Sequence, residues 1–366
     1  MTRLRDHLIQ VIKADGPLSI AEFMRLALIT PDVGYYTRGD PLGAGGDFTT
    51  APEISQIFGE LIGLWGVATW EALGSPAKFS LVELGPGRGT LMSDALRAAR
   101  IRPAFLEAAE VVLVEISATL RERQRAALKD VRLRDLKWVE RFEEAGAGQP
   151  MMLFANEFFD ALPACQFVAA ARGWRERCVG LSAEGDLAFA LSPDIAPEGM
   201  IPFGVASVYD GAVVEIAPLR NALATTIAAR LNTQGGAALT IDYGFAGPAV
   251  GDTLQAMKAH RYVPVLDEPG HADLTAHVDF AALAAGFAAG GADVYGALEQ
   301  SAFLQRLGAR ERVEALSARA TREGRASLEA GLARLTEREQ MGSLFKTLVA
   351  TSPGLLPPGF ASHERR

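Results

Sequence analysis

The chain lacks the features that mark several large classes of protein. Its 366 residues include only two cysteines, Cys165 and Cys178, which are too few and too scattered for a disulfide framework or a zinc site. The two thiols could face each other across a hairpin, but we expect them to be reduced. No stretch reaches the roughly 18 uninterrupted apolar residues of a membrane span. No lysine- or arginine-rich block occurs and the formal net charge is −8, so an extended nucleic-acid interface is not expected.

The first 16 residues carry acidic Asp6 and Asp15 and no long apolar core. They therefore resemble neither a secretory signal nor a serine-rich transit peptide. We expect a cytoplasmic protein, or one of the mitochondrial matrix if the chain is the processed form of a eukaryotic precursor. Hydrophobic residues make up 49% of the sequence, which is enough for a sizeable core in one elaborated domain or two lobes.

The most informative stretch is 79–90, which reads FSLVELGPGRGT. An apolar run ends in Glu83, and Gly85, Gly87 and Gly89 follow at every second position before a helical pattern opens. This order predicts a buried strand, a tight turn and a helix start, without the further glycine of the dinucleotide fingerprint. An acidic residue two positions before the first glycine suits a ligand with positive charge. S-adenosylmethionine (SAM), with its ammonium and sulfonium groups, is such a ligand.

A second acidic residue supports a nucleotide-type ligand. The apolar run 111–114 ends in Glu115, whose carboxylate could accept both hydroxyls of a ribose, with Ile116 against an adenine. The alternative is a glycine-rich turn without a ligand, followed by a surface glutamate after the next strand.

The pattern from residue 78 onward alternates strands and helices, which predicts an α/β fold with a parallel sheet and a ligand at the carboxyl ends of its strands. Predicted strands are 79–84, 110–115, 151–156 and 236–242, with a weaker one near 137–139, and predicted helices are 90–100, 117–128 and 218–232. Short antiparallel strands are expected at 166–171, 174–181 and 187–191. The resulting division is a helical N-terminal region with a lid loop (1–77), the first half of the core (78–163), a β-rich insertion (164–217), the second half of the core (218–350) and a loose tail (351–366).

Polar side chains follow the third and fourth predicted strands at the same edge of the sheet. Asn156, Glu157 and Asp160 could orient a methyl acceptor, since a carboxylate can align a guanidinium through two parallel hydrogen bonds. Alternatively, such residues simply cap the turn. Asp242 and Tyr243 could equally contact substrate or stabilise a loop.

Three histidines in the following stretch match no common metal template, because their separations of 11 and 6 residues do not fit one. His260, His271 and His277 are therefore expected to be ordinary hydrogen-bonded residues, and no metal is predicted.

Several segments together resemble the MidA-type SAM-dependent methyltransferases, a family that includes the mitochondrial complex I assembly factor that methylates arginine. The match runs in order from about residue 20 to 350, and the segments 47–60 and 272–280 are its most specific parts. Its residues are GYY (34–36), GDFTTAPEISQIFGE (46–60), ELGPGRG (83–89), NEFFDALP (156–163), IDYG (241–244), GDTLQ (251–255), ADLTAHVDF (272–280) and MGSLFK (341–346). One departure is Ala51, where many members carry serine.

The resemblance implies a class I methyltransferase fold, SAM as donor and a protein arginine as acceptor. In mitochondria the family's target is a subunit of the respiratory NADH dehydrogenase, and we expect this chain to be a bacterial relative with a protein client. Glu83, Gly85, Gly87, Gly89, Glu115 and Ile116 would then bind the cofactor, and Asn156, Glu157 and Asp160 would act in catalysis. The expected lid and substrate residues are Tyr36, Asp47, Phe48, Thr49, Glu53, Gln56, Asp242, Tyr243 and His277.

Three rival interpretations remain at this stage. The first is a non-catalytic assembly chaperone that retains a SAM-binding fold. The second is a nucleotide-dependent oxidoreductase, which the glycine spacing disfavours. The third is a methyltransferase for a small molecule or RNA, of which RNA is the poorer choice because the chain is acidic.

Overall fold

The computed structural model describes residues 3–39, 49–131, 133–146, 148–201 and 209–366. The helices of these ranges are α1 (Arg3–Asp15), α2 (Ile20–Ile29), α3 (Ala51–Ile54), α4 (Gln56–Ala72), α5 (Thr90–Ala98), α6 (Pro103–Ala108), α7 (Ala118–Leu128), α8 (Pro218–Gln234), α9 (Phe280–Ala289), α10 (Gln300–Arg306), α11 (Ala309–Ser317) and α12 (Arg322–Thr336).

The strands are β1 (Leu18–Ser19), β2 (Phe79–Leu84), β3 (Ala109–Val114), β4 (Asp135–Val139), β5 (Met151–Asn156), β6 (Cys165–Ala170), β7 (Gly173–Leu181), β8 (Leu187–Leu191), β9 (Val213–Ile216), β10 (Gly236–Phe245), β11 (Gln255–Lys258), β12 (Arg261–Val263), β13 (Asp273–Thr275), β14 (Val278–Asp279), β15 (Asp293–Glu299) and β16 (Phe345–Thr351). Each predicted strand and helix of the core is confirmed, with bounds that differ by no more than three residues.

A central sheet carries the strand order β15-β16-β10-β5-β2-β3-β4, and β14 adds to the end of β10. Strands β4, β3, β2, β5 and β10 are mutually parallel, as predicted. Strand β16 runs antiparallel to both of its neighbours, so the sheet is mixed rather than purely parallel. This order places the carboxyl ends of β2, β3, β4 and β5 side by side.

Helices cover both faces of the central sheet. Leu81 and Val111 belong to a core with α4, α5 and the C-terminal helices, whereas Val82 and Val112 belong to a second core with α8 and α9. Every residue of β2 is therefore buried. This explains why its sequence is a continuous apolar run rather than an alternating one.

A second, antiparallel sheet has the order β1-β7-β6-β9, with β8 paired to β7. The predicted antiparallel strands of the insertion are thus confirmed, and a strand from the N-terminal region joins them. Cys165 and Cys178 lie on β6 and β7 as free thiols. A small sheet of β12, β11 and β13 was not predicted, and it packs with α1 and α2 in a third core.

The expectation of a loose C-terminal tail was wrong. Trp65 Nε1 donates to the Pro358 carbonyl at 3.0 Å, and the Phe360 ring lies 5.7 Å from that of Phe303. Arg365 forms an ion pair with the buried Asp293. Burial of the Phe360 side chain, together with these contacts, offsets part of the conformational entropy that the segment loses by becoming ordered.

Helices α3 and α4 are separated by a break at Ser55. Ser55 is in an extended conformation between α3 and α4, and its hydroxyl accepts from the Ile57 amide as an N-cap. Ser55 thus ends the short helix α3 and begins α4. Part of the predicted lid loop is ordered as turns, in which the Tyr35 and Tyr36 amides donate to carbonyls of α2.

Candidate functional site

A cavity of about 380 Å³ lies at the carboxyl ends of β2, β3, β4 and β5. Ligands bind at this edge in open α/β sheets. Residues from both predicted halves of the site line it. They are Tyr36, Glu53, Glu83, Gly85, Gly87, Glu115, Ile116, Asn156 and Glu157.

The glycine turn after β2 is built from left-handed backbone conformations. Gly85, Gly87 and Gly89 have φ values of 58°, 56° and 85°. A Cβ atom on Gly85 would lie 2.9 Å from Cδ2 of Phe158, so only glycine fits there. Gly89 precedes α5 and packs near Gln124, outside the cavity lining. Gly85 and Gly87 thus expose main chain to the cavity, while Gly89 shapes the turn behind it.

Glu83 is a buried carboxylate with an unused acceptor. The residue is 3% exposed, and no hydrogen bond from the described residues reaches its Oε2 atom. Burial, and secondarily the Glu115 charge, raise the pKa of Glu83 to about 8. An uncompensated carboxylate of this kind is costly, and the arrangement favours a cationic partner in the cavity.

Glu115 lies in the same cavity but is held by the protein. Its Oε1 accepts from the Ser117 amide at 2.8 Å, and its Oε2 accepts from Gln124 Nε2 at 3.1 Å. Burial raises the pKa of Glu115, and these hydrogen bonds oppose the rise. The carboxylate is therefore fixed in orientation, with lone pairs left on both oxygens.

Gln124 hydrogen-bonds to three elements around the Glu83 and Glu115 side of the cavity. The sequence does not reveal this role. The fully buried side chain of Gln124 also donates to the Gly87 carbonyl at 2.7 Å and accepts from Trp138 Nε1 at 2.8 Å. One amide of α7 thus links the glycine turn, the end of β3 and strand β4.

Asn156 and Glu157 form a pair at the end of β5. Asn156 Nδ2 donates to Glu157 Oε1 at 3.2 Å, which leaves Asn156 Oδ1 buried without a partner among the described residues. Glu157 is a non-glycine residue with φ of 48°. Burial, opposed by hydrogen bonds and reinforced by Asp160, raises the pKa of Glu157 to about 7. A strained backbone and a carboxyl that titrates near neutrality are both typical of functional sites.

Helix α3 is held from both sides of the cavity. The Ala51 amide donates to Glu157 Oε1 at 2.8 Å, so the carboxylate caps the helix N-terminus. Thr90 Oγ1 donates to Glu53 Oε1 at 2.6 Å, which connects the same helix to the first residue of α5. The N-terminal region therefore contributes a wall to the site.

The remaining predicted residues lie behind the cavity wall. Asp242 Oδ2 accepts from the amides of Phe158, Phe159 and Asp160 at 3.2, 3.0 and 3.2 Å, which favours its loop-stabilising interpretation over substrate contact. Asp160 is 5% exposed, and burial raises its pKa while the Tyr243 hydroxyl opposes this. None of Asp160, Asp242, Tyr243 and His277 is among the described lining residues.

The outer lid and histidine predictions have mixed outcomes. Tyr36 OH donates to Asp273 Oδ1 at 2.8 Å, whereas Thr49 and the exposed Gln56 do not appear among the described lining residues. The predicted residues Asp47 and Phe48 lie outside the described residues. His277 packs edge-on against Tyr243 at 5.3 Å and His271 contacts Arg38 at 2.7 Å. No group of metal-ligating side chains occurs in the ranges that the structure describes.

Sequence reasoning missed one side of the cavity. Residues 140–143 follow β4 and line it with Glu140, Arg141, Phe142 and Glu143. The end of β4 was the available sequence signal, because the carboxyl ends of parallel strands lie at the same edge of a sheet as Glu83 and Glu115. The strand pattern near 137–139 is weak in the sequence, so it does not by itself indicate a site at its end.

Comparison with known proteins identifies the family. A family model described as an S-adenosyl-L-methionine-dependent methyltransferase matches residues 61–298. The chain belongs to the MidA-type family of SAM-dependent methyltransferases. Among the parts of the chain that the structure covers, no helix is both long and apolar enough to cross a membrane.

Relatives with this family's fold cover nearly the whole chain. The mitochondrial protein arginine methyltransferase NDUFAF7 of Danio rerio is 37% identical over 364 residues, covering 93% of this chain and 85% of its own. The human protein of the same name is 36% identical over 340 residues, covering 86% and 76%. A Burkholderia thailandensis protein solved with S-adenosyl-homocysteine has a TM-score of 0.85 and 26% identity, covering 98% of this chain and 95% of its own.

Proposed function

We propose that this protein transfers a methyl group from SAM to an arginine side chain of a protein client. The supporting observation is that one cavity joins two groups. The first is the buried Glu83 carboxyl at the end of β2, whose Oε2 has no hydrogen-bond partner among the described residues, and the second is the Asn156–Glu157 pair at the end of β5. The first group suits the cationic donor and the second suits a cationic acceptor. The relatives named as protein arginine methyltransferases supply the acceptor class.

The described residues fit SAM on the cofactor side. Glu83 Oε2 would accept from the ammonium group, and Glu115 would accept from the ribose hydroxyls. Gly85 and Gly87 would let main chain approach the ligand, since neither has a Cβ. Ile116 is 44% exposed and would contact the adenine face. When bound, SAM supplies an electrophilic methyl group on a sulfonium.

The acceptor side presents two acceptor atoms that no donor of the described residues reaches. Oε1 of Glu157 is occupied by Ala51 and Asn156, so Oε2 of Glu157 and Oδ1 of Asn156 remain for a ligand. The Asn156 amide orientation follows from its hydrogen bond to Glu157. A planar guanidinium carries five N–H donors and can satisfy both atoms.

Glu157 would also manage the proton. Arginine stays protonated in proteins, and its methylation converts one guanidinium to a methylguanidinium of equal charge with release of one proton. A carboxyl with a pKa of about 7 is suited to accept that proton at Oε2 near neutral pH. Asp160, buried behind the pair, would act by raising the pKa of Glu157 rather than by contact with the acceptor.

The client and the compartment extend this proposal. We propose a subunit of a respiratory NADH dehydrogenase, or a protein similar to it, as the client, because the family resemblance implies it. The proposed compartment is the bacterial cytoplasm. The mitochondrial matrix is the alternative, and the mitochondrial relatives support it.

The test uses purified protein, methyl-labelled SAM and a lysate of cells that lack this protein. Labelled arginine in a protein, identified by mass spectrometry and absent with Glu157→Gln, would support the proposal. Label in a small molecule or in RNA would refute the protein acceptor. Tight binding of S-adenosyl-homocysteine without any transfer would support the chaperone interpretation instead.

A further inference from the structure

Arg220 occupies a position that is unfavourable for its charge. It is the third residue of α8 and lies in the first turn, where the helix dipole disfavours a cation. The residue is only 3% exposed, although arginine is rarely buried unless it is paired. Neither local propensity nor solvation explains this placement, so the contacts of the side chain must do so.

The guanidinium of Arg220 joins two segments near the acceptor side of the cavity. Nε and Nη2 donate to the Leu162 carbonyl at 3.2 and 3.0 Å, and Nη2 donates to the Asp160 carbonyl at 3.0 Å. Nη2 and Nη1 also donate to the carbonyls of Ala276 and His277, at 3.1 and 2.8 Å. Within the described part of the chain, these acceptors are all main-chain atoms.

The same turn is held from its other side by the buried carboxyl group of Asp242. Asp242 Oδ2 accepts three consecutive amides of the turn, those of residues 158–160, while Arg220 binds two of its carbonyls. The buried cation is stabilised in turn by the carboxylates of Asp160 and Asp242, which oppose the lowering of its pKa by burial. Asp242 thus holds the amide donors of the turn, and Arg220 holds two of its carbonyl acceptors.

This double restraint bears directly on Glu157. A non-glycine residue at φ of 48° has a strained backbone conformation, which persists only where its surroundings impose it. Glu157 and the turn residues 158–162 are consecutive, so a shift in the turn would move the Glu157 carboxylate. A misplacement of about 1 Å can slow a reaction on the order of a hundredfold.

We propose that Arg220 is a positioning residue for methyl transfer, which keeps Asn156 and Glu157 aligned by binding the carbonyls of the turn that follows them. This inference rests on the proposed function of the cavity. It also gives a role to the segment 272–280, one of the two most specific parts of the family resemblance, since Ala276 and His277 supply half of the acceptor residues.

The test variant is Arg220→Lys, which keeps the positive charge but loses the planar fork of donors. Hydrogen exchange followed by mass spectrometry reports on the turn directly. We expect faster exchange in peptides covering 156–163 and 275–278, with the amides of the central sheet unchanged. S-adenosyl-homocysteine affinity should stay within about twofold, while methyl transfer to lysate protein falls about tenfold to a hundredfold.

Arg306→Lys is the matched control, because Arg306 also connects a helix to a main-chain carbonyl, that of Gly359, at 3.0 Å. It does not line the cavity. This variant should show wild-type exchange in the turn and wild-type transfer. If Arg220→Lys does not fold, Arg220→Gln is measured in the same way.

Unchanged exchange in the turn, or unchanged transfer, would overturn the proposal. So would faster exchange throughout the sheet with a parallel loss of S-adenosyl-homocysteine affinity, since that pattern indicates a general structural role. Absence of arginine methylation by the wild type would instead refute the proposed function itself, and the inference with it.

Discussion

Glu83 gives the sharpest prediction, because its ionisation should be coupled to cofactor binding. The carboxyl is buried, one of its oxygens has no hydrogen-bond partner in the described ranges, and its pKa is about 8. At pH 7 about nine-tenths of the empty protein therefore carries Glu83 in its neutral form. If an ammonium group binds this carboxylate, the acid must first lose its proton.

The magnitude follows from that pKa. Affinity for S-adenosyl-homocysteine should rise about fifty-fold from pH 6 to pH 8, and binding at pH 7 should release about 0.9 proton. Glu83→Gln should abolish that rise and weaken binding at pH 8 by about ten- to a hundredfold, as expected for loss of a charged hydrogen bond.

The free energy of unfolding of the empty protein should fall as pH rises, whereas its affinity for S-adenosyl-homocysteine should increase. A folded-state pKa above the unfolded value means that the contribution of Glu83 to stability is fully present below about pH 4.5 and is lost as pH rises through about 8. Glu83→Gln should therefore make the empty protein more stable than wild type above pH 8, by at most about 5 kcal/mol.

Isothermal titration calorimetry in buffers of different ionisation enthalpy measures both affinity and proton release, and chemical denaturation measures the stability difference. Wild-type affinity that does not change between pH 6 and pH 8 would show that binding does not require ionisation of Glu83. Equal pH dependence in Glu83→Gln would show that another group controls binding.

Three further predictions concern other parts of the site. Glu157→Gln should retain S-adenosyl-homocysteine affinity, but its rate of methyl transfer should fall by at least about a hundredfold. The wild-type rate should rise with pH through about 7, because the ionised form of Glu157 is required. Full activity of Glu157→Gln would exclude Glu157 from the chemistry. Gly87→Val should prevent binding while circular dichroism stays native, because Gly87 lines the cavity and the added side chain would occupy the space of the ligand. Gly185→Val is the control: it has a similarly unfavourable positive φ of 87° but does not line the cavity, and it should bind normally. Equal binding by both variants would contradict this. Tyr36→Phe should lower the free energy of unfolding by about 1 kcal/mol through loss of its hydrogen bond to Asp273, and denaturant titration showing no change would argue against that contact.

The centre of the sheet was predictable because its strands are buried on both faces. Strands β2 and β5 match their predicted bounds, since each is a short apolar run bounded by turn residues. The cofactor-side residues were predictable because the carboxyl ends of adjacent parallel strands lie at the same edge of a sheet. Glu83 and Glu115, which are 32 positions apart in sequence, do line one cavity.

Strands β15 and β16 were not predicted. The sequence of β16, FKTLVAT, shows no alternation because both of its faces are covered, and a short run of this kind cannot be distinguished from a helix segment by periodicity. Its pairing with β10 joins residues about 100 positions apart, so no local signal indicates it.

The residues that organise the site from behind were also missed. Gln124 and Arg220 lie on helices of opposite faces of the sheet, and each reaches a loop through a side-chain hydrogen bond. A sequence shows that a residue is polar and helical, but not which loop its side chain meets. The sequence identifies Asp242 as a candidate for substrate contact or loop stabilisation, and only its hydrogen bonds in the structure favour the loop.

A crystal structure of this protein with S-adenosyl-homocysteine would test the proposed cofactor site directly. We predict the ammonium group at Glu83, the ribose at Glu115 and the sulfur facing Asn156 and Glu157. A ligand bound elsewhere, or one that turns its sulfur away from the end of β5, would contradict it.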